Sequence, residues 1–524
     1  MPPKKTKQSL DGYELDNAKV GIVPIHIDIK HKIKEALLAQ FNSSEYKGWT
    51  TGSEYFNELT GGMADIVTLA GSPGGTKSSV ARWLSLNFLN ANRYNKVLFL
   101  SAEDNKDEFH RLITCLMLNI NKDIFKADFK QLCPQLKVNT FGEFLIKQMM
   151  KGAQNDPATY KKYHETINRF EYKTKGDGAF ENKDTLIHSI IDTLIGYSNG
   201  VSMNKPVNEL LVVLDHLGEF NLSNTENEYE RANDILETVM SLSGGYQSLD
   251  TAYFKKRVGG KNPFVYNIMD KINGDPQKEK EFNDCMARMK GEYEDFLSSQ
   301  GMSSWDDLQK EIISELNIPR VKFLLLSQFK TDAYKSGNWK KQTYELNTSD
   351  LESSKRLGQK TFQAFFCWKE ESPFVPNKVK DYYSTGCRPS DIKAYLQPIS
   401  TLTYLFCSKN RIGFNNWICP VFSNLATGSM IPFSLKTEKI DGTLNPYNIK
   451  QFRDEFGLDF RETSNKEDLP DTAKTWSYRH KLLQRDIFNG SVNVHHNSYV
   501  SSFKQSQEEQ NEFYKFFDID SLFR

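Results

Sequence analysis

The chain has 524 residues, with 67 basic and 67 acidic side chains, so its overall charge does not mark it as a polyanion binder and any nucleic-acid contact needs a local basic groove. Its seven cysteines (115, 133, 285, 367, 387, 407, 419) form no CxxC pair and no Cys/His cluster of zinc spacing. No apolar stretch approaches the ~20 residues of a membrane span. Those patterns exclude a zinc module and a spanning helix, and predict reduced thiols in a cytoplasmic compartment.

Residues 1–26 form a basic, polar arm (MPPKKTKQSLDG at its start) with no apolar segment behind it, so it is not a secretory signal. It fits a solvated tail, or a short nuclear-targeting or nucleic-acid-binding arm. From Ile27 to Phe41, apolar residues recur at helical spacing (Ile29, Ile33, Leu37, Phe41). The spacing predicts an amphipathic helix within a linker, 27–48, that folds back on its own domain or docks on a neighbouring subunit.

Residues 49–430 alternate apolar runs with helical patterns. Strands are expected at 66–70, 97–101, 210–214, 321–327, 362–368 and 402–408, in an α/β core with a mostly parallel sheet covered by helices. Two polar inserts, 244–303 and 371–400, read as surface elaborations rather than core. From Thr427 onward no strand rhythm is visible, and a C-terminal extension, 431–524, carries a short helical pattern at 506–517.

The strand Ile66–Ala70 runs into Gly71-Ser72-Pro73-Gly74-Gly75-Thr76-Lys77-Ser78-Ser79, and an amphipathic run, Val80 to Leu89, follows. Strand, glycine-rich loop and helix together cradle phosphates: backbone N–H groups and the helix terminus face them, Lys77 reaches the terminal phosphates, and the Ser78 hydroxyl holds Mg²⁺. The spacing is that of a Walker A loop. Thr76 stands where that pattern has glycine, and a β-branched residue resists positive φ, so weakened binding or a remodelled loop is expected.

The run Leu210–Leu214 ends in Asp215, which would deliver a metal-binding carboxylate beside that loop. The run Val97–Ser101 leads into Ala102-Glu103-Asp104. The acid that polarises an attacking water is Glu103 or Asp104, although an acid here also suits a helix start. Ser327-Gln328 closes another run and places a neutral amide at the same edge. The following segment interleaves Lys330, Lys335, Lys340 and Lys341 with aromatics and glycine, which suits a single-stranded nucleic-acid backbone as well as it suits a solvated loop. Lys409 and Arg411, in Ser408-Lys409-Asn410-Arg411-Ile412-Gly413, alternate on an extended segment. They suit a pair reaching the phosphates of a neighbouring subunit, or solvated cations on a hairpin.

Taken in order, these motifs resemble the DnaB-type hexameric replicative helicases of bacteria and phages, RecA-like proteins of helicase superfamily 4. The segment Trp49-Thr50-Thr51-Gly52 through Leu59-Thr60-Gly61-Gly62-Met63 is similar to the family's approach to its first core strand. Asp215-His216-Leu217 resembles its Asp-Tyr-Leu, and Ser349-Asp350-Leu351-Glu352-Ser353-Ser354 its Ser-Asp-Leu-Arg-Glu-Ser. The resemblance spans about residues 27–430.

It implies a RecA-like P-loop core, ATP and Mg²⁺ as cofactors, and a homo-hexamer that moves 5′→3′ on single-stranded DNA. Lys77 would bind the β/γ-phosphates, Ser78 and Asp215 would serve the metal, and Glu103 would activate water. Gln328 would couple the γ-phosphate to the DNA loops, and Lys409 with Arg411 would act in trans. Glu352 replaces the family's DNA-contacting Arg, which shifts the expected contact to Lys355 and Arg356. The family's N-terminal collar has no room ahead of residue 27, which leans toward a phage source and a host cytoplasm. In the tail, Gln510, Phe513, Phe516 and Phe517 resemble a sliding-clamp-binding box, a contact for a clamp, primase or polymerase. The alternative reading is a RecA-like DNA scaffold or recombinase with weak hydrolysis, for which Thr76 is the main support.

Overall fold

The computed structural model describes residues 48–71, 76–92, 95–103, 105–118, 137–155, 157–194, 209–222, 228–243, 276–299, 305–309, 320–329, 355–369, 400–424 and 427–432, with a few isolated residues and short paired pieces besides. The expected arm, linker helix 27–41, Lys-rich segment 330–341, most of the insert 371–400 and the clamp-like tail lie outside the described residues.

The chain enters through a short helix, α1 (Glu54–Thr60), then β1 (Ile66–Gly71), α2 (Lys77–Ala91) and β2 (Lys96–Ser101). Next come α3 (Lys106–Leu118), α4 (Phe141–Asn155), α5 (Pro157–Ile167), β3 (Phe170–Thr174) and α6 (Lys183–Leu194). The second half adds β4 (Glu209–Asp215), α7 (Glu228–Leu242), α8 (Pro276–Ser299), β5 (Arg320–Gln328) and α9 (Lys355–Lys360). It closes with β6 (Gln363–Lys369), β7 (Ser400–Asn410), β8 (Ile418–Asn424) and β9 (Met430–Pro432).

These strands build one nine-stranded sheet in the order β9-β8-β7-β6-β1-β5-β4-β2-β3. From β6 through β3 every pairing is parallel. The far side, β7 to β9, is antiparallel. This is the α/β architecture with a mostly parallel central sheet expected from the sequence, with the loop-bearing strand β1 inside the sheet and helices on both faces.

Strand alternation explains the two faces. Val67, Leu69, Phe99, Val213 and Leu324 point into one core with Val80, Leu84 and Phe88 of α2 and Phe109 of α3. Their neighbours Ile66, Leu98, Val212, Leu214 and Leu325 point into the other, with Ile190 of α6 and Leu236 of α7. A strand buried on both faces reads as a continuous apolar run, which is why β1, β2, β4 and β5 are visible in the sequence. Each fully buried large side chain contributes about 1.5–3 kcal/mol.

Three expectations need correction. The stretch after Thr427 does hold strands: β9, and a small pair formed by Lys439–Ile440 and Thr443–Leu444. The insert 244–303 is not wholly a surface elaboration, because α8 lies within it and buries Phe282, Cys285 and Met286. Strand β8 is absent from the expected set, and so is strand β3. Its sequence, FEYKT, alternates apolar and polar, as befits the sheet's outermost parallel strand.

Candidate nucleotide site

The parallel strands end together, and their register fixes what meets at the C-terminal edge. Gly71 pairs with Gln328 on one side and Cys367 on the other. Asp215 pairs with Ser101. Because β5 lies between β1 and β4, Gln328 sits between the glycine-rich loop and Asp215, and the Glu103 segment follows beyond Asp215. This crevice at the carboxyl ends of the strands is where open α/β sheets bind ligands.

Residues Ser72, Pro73, Gly74 and Gly75 lie outside the described residues, but both ends of the loop are defined. Gly71 ends β1, and Thr76 is the N-cap of α2 with φ 70° and ψ 5°. The β-branched residue therefore adopts the left-handed backbone that the motif assigns to glycine, at a cost of about 1–2 kcal/mol. The helix itself starts on schedule, with the Val80 N–H donating to the Thr76 carbonyl at 2.9 Å. Lys77 is buried and folds back so that Nζ donates to the Gly71 carbonyl at 3.1 Å. Ser78 and Ser79 lie in the first turn, and Ser79 accepts from Arg82. The positive end of the α2 dipole points at the same space.

Beneath Lys77, Cys367 is fully enclosed. Burial pushes its thiol up to about 12, against the opposing pull of the Lys77 charge. It is thus a neutral floor that leaves the lysine charge for a ligand.

Asp215 closes β4 with only 2% exposure, and its carbonyl accepts from the Ala102 N–H at 2.9 Å. The peptide that follows it, to His216, is cis. Ser78 and Asp215 supply a hydroxyl and a carboxylate, hard oxygen donors that suit Mg²⁺ held largely by phosphate and water. Among the described residues there is no cluster of three His, Cys, Asp or Glu able to hold a metal.

The Glu103 N–H donates to the Ser101 hydroxyl at 3.2 Å, and its half-exposed carboxylate approaches Nδ1 of His216 to 2.8 Å. The other ring nitrogen, Nε2, lies 3.3 Å from Nε2 of Gln328. His216 is itself buried. In the sequence this histidine stands only as the middle of Asp215-His216-Leu217, with no role of its own. The available signal is a two-sided polar ring following a strand-end carboxylate. Asp104 lies outside the described residues.

Gln328 is followed by Phe329, which forms a bridge with Leu351 and packs edge-on against Phe366 at 5.1 Å. The bridge ties together both ends of the segment that carries Lys330, Lys335, Lys340 and Lys341. Lys355 and Arg356 form the first turn of α9.

Lys409 and Arg411 are placed elsewhere. Because β7 is antiparallel to β6, Lys409 pairs with Ala364, which pairs with Thr68, about 10 Å down the strand from Gly71. Arg411 lies further still toward the opposite edge. Both cations bind the C-terminal carbonyls of α9. Lys409 Nζ donates to Gly358 and Gln359 at 2.7 and 2.9 Å, and Arg411 Nη2 donates to Gln359 at 3.1 Å. Arg411 also stacks over the Phe362 ring at 5.3 Å. Burial, and then the Arg411 charge, hold the Lys409 amine below the ordinary lysine range.

The turn holding Arg411 is built by Asn410. Its Oδ1 accepts from the Ile412 and Gly413 N–H groups at 3.1 Å, and its Nδ2 donates to Thr60 at 2.9 Å and Phe414 at 3.0 Å. A Cβ on Gly413 would land on the Thr60 carbonyl. Hence the Asn-Arg-x-Gly spacing: Asn folds the turn, Gly lets it lie against the end of α1, and Arg411 is left exposed at the tip.

No family model and no curated protein sequence matches the chain. Among solved structures it is similar to a DnaB-like replicative helicase described with its primase interactions, at 13% identity and a TM-score of 0.39, over 81% of this chain and 67% of that one. An isolated ATPase domain is similar at 14% identity and 0.39, over 77% of this chain and 99% of that one. The RadB recombinase is similar at 11% identity and 0.31, over 73% and 97%.

Proposed function

We propose that the chain is an ATP-hydrolysing, ring-forming DNA helicase that translocates on single-stranded DNA and unwinds duplex. One observation carries the reading. Gly71 and Lys77 at the two ends of the glycine-rich loop, buried Asp215, Glu103 and Gln328 meet at one sheet edge, while Lys409 and Arg411 stand toward the other, away from their own chain's loop.

On this reading Lys77, the α2 terminus and the loop N–H groups hold the triphosphate, with Ser78 and Asp215 toward Mg²⁺. The metal would supply charge neutralisation on the phosphates. Glu103 takes a proton from the attacking water. Gln328 senses the terminal phosphate, and its strand leads straight into the Lys-rich segment 330–341 and then to Lys355 and Arg356, which would follow the DNA backbone. Lys409 and Arg411 of one subunit approach the next subunit's phosphates, exchanging helix carbonyls for a stronger charged partner. Six subunits in a ring, and contacts with primase, polymerase or a clamp through the C-terminal tail, belong to the same proposal.

The test is hydrolysis with and without single-stranded DNA, beside Lys77→Ala, Arg411→Ala and a mixture of the two. Stimulated hydrolysis by the wild type, loss in each variant and partial recovery on mixing are expected. No stimulated hydrolysis by the wild type sinks the reading. No recovery on mixing removes the trans role of Arg411. A second reading, a RecA-like scaffold or recombinase with weak hydrolysis, draws on the strained Thr76 backbone. ATP binding without DNA-stimulated turnover would favour it.

A further inference from the structure

We infer that His216 is a positioning residue that links Glu103 to Gln328, and that this link sets how strongly single-stranded DNA stimulates hydrolysis. The inference rests on the ATPase reading above.

The three residues follow neighbouring strands: Glu103 after β2, His216 after β4, and Gln328 at the end of β5. His216 is in the middle. An imidazole carries two nitrogens on opposite sides of a rigid ring, so one side chain can touch two groups at once. Here Nδ1 is 2.8 Å from the Glu103 carboxylate and Nε2 is 3.3 Å from the Gln328 amide. The ring is only 8% exposed, and a Cβ at Gly218 would come within 3.2 Å of Nε2, so the residue that follows next but one leaves the ring its room.

The two contacts differ in quality. The Glu103 oxygen lies close to Nδ1 but off the line along which a ring N–H would point, and this buried nitrogen has no aligned hydrogen-bond partner. Glu103 is 53% exposed at its side chain and has room to rotate. A small rotation either completes the bond or releases the carboxylate. Gln328, the other contact, stands one residue before the Phe329–Leu351 bridge that ties the ends of the segment 330–350. A displacement of that bridge moves Gln328, then the ring, then the carboxylate.

The experiment uses the full chain, with a poly-thymidine oligonucleotide as the DNA. It compares wild type, His216→Ala, His216→Asn, His216→Gln, Gln328→Ala and the double variant His216→Ala/Gln328→Ala. In each, kcat and KM for ATP are measured with and without DNA. The readout is the ratio of stimulated to basal kcat, which a general loss of structure leaves unmoved. For His216→Ala this ratio is expected to fall about tenfold while KM changes less than about twofold. The double variant should be no worse than Gln328→Ala alone, since His216 acts only through the link that Gln328→Ala already breaks. His216→Gln, whose amide reaches the Nε2 position, should recover part of the ratio; His216→Asn, whose amide stands at the Nδ1 position, should not. Should His216→Ala fail to fold, the contrast between Gln and Asn decides. An unchanged ratio, additive losses, or equal ratios for Gln and Asn overturn the inference while leaving the ATPase reading intact. Wild-type protein without hydrolysis overturns both.

Discussion

Gln363 on β6 and Asn410 on β7 meet inside the sheet, the Gln363 Nε2 donating to the Asn410 Oδ1 at 3.1 Å. Both are buried, and both bind the carbonyl of Thr60 at the end of α1. Replacing Asn410 with Ala takes the acceptor from the part-buried Ile412 and Gly413 N–H groups and one of its two side-chain donors from the buried Thr60 carbonyl. A stability loss of about 3 kcal/mol is expected, read as a lower urea midpoint. An unchanged midpoint would show that the turn does not depend on this side chain.

Gly413→Ala places a methyl group against the Thr60 carbonyl and should destabilise by about 1–3 kcal/mol. Gly291 in α8 gives the opposite case, because its Cβ position is open. Gly291→Ala should stabilise by up to about 1 kcal/mol through helix propensity alone. Thermal melts of the two variants, run side by side, should shift in opposite directions.

Thr76→Gly removes a side chain from a residue at φ 70°. Relief of backbone strain outweighs the added chain entropy of glycine, leaving a gain of about 0.5–1 kcal/mol. Affinity for ATP should rise at least slightly, as measured by titration with a fluorescent analogue. Weaker binding by the glycine variant would mean that threonine contributes a contact of its own.

Cys367 and Cys407 are both buried, and burial raises both thiols far above the usual range, Cys367 to about 12. Thiolate is the reactive form. Alkylation of the native protein at about pH 8, near the ordinary thiol range, should therefore spare these two sites, and unfolding should expose them. Mass mapping of modified peptides reads this directly, and rapid labelling of native Cys367 would contradict the enclosed floor beneath Lys77.

Lys409 loses its proton at a lower pH than an ordinary lysine, because burial and then Arg411 disfavour its charge. In that alkaline window the unfolded chain binds more protons than the folded one, so this group's contribution to stability rises with pH. Its charge for a neighbouring phosphate disappears in the same window. Hydrolysis should thus fall on the alkaline side while the protein does not lose stability from this residue. Lys409→Arg should move the alkaline limb upward; an unmoved limb would assign it to another group.

Much of the sheet is legible because its inner strands are runs such as Leu210–Leu214, apolar on both faces and ended by a residue with chemistry. Strand β3 is hidden by its polar Glu171 and Lys173, which alternate with the buried residues of the last parallel strand. Helix α8 is hidden by its charge, although Phe282, Cys285 and Met286 stand at the spacing of one helix face. At the site, Lys77, Asp215 and Gln328 are visible because each follows or ends a strong apolar run. The reach of His216 to Gln328, 112 positions along the chain, is not. Nor is the hold of α9 on Lys409 and Arg411, since backbone carbonyls leave no mark in a sequence.

The aromatic seam between α1 and the β7–β8 hairpin has a consequence for biosynthesis. Phe56 meets Trp417 edge-on at 5.7 Å, and Asn410 binds Thr60 across 350 positions of chain. The first described helix therefore lacks part of its packing until β8 has left the ribosome. Until then the side of Phe56 that meets Trp417 is uncovered apolar surface, and long-range closure of this kind is slow. A message truncated before the codon for Trp417 should yield a chain that chaperones hold or proteases clear, however complete its parallel strands are.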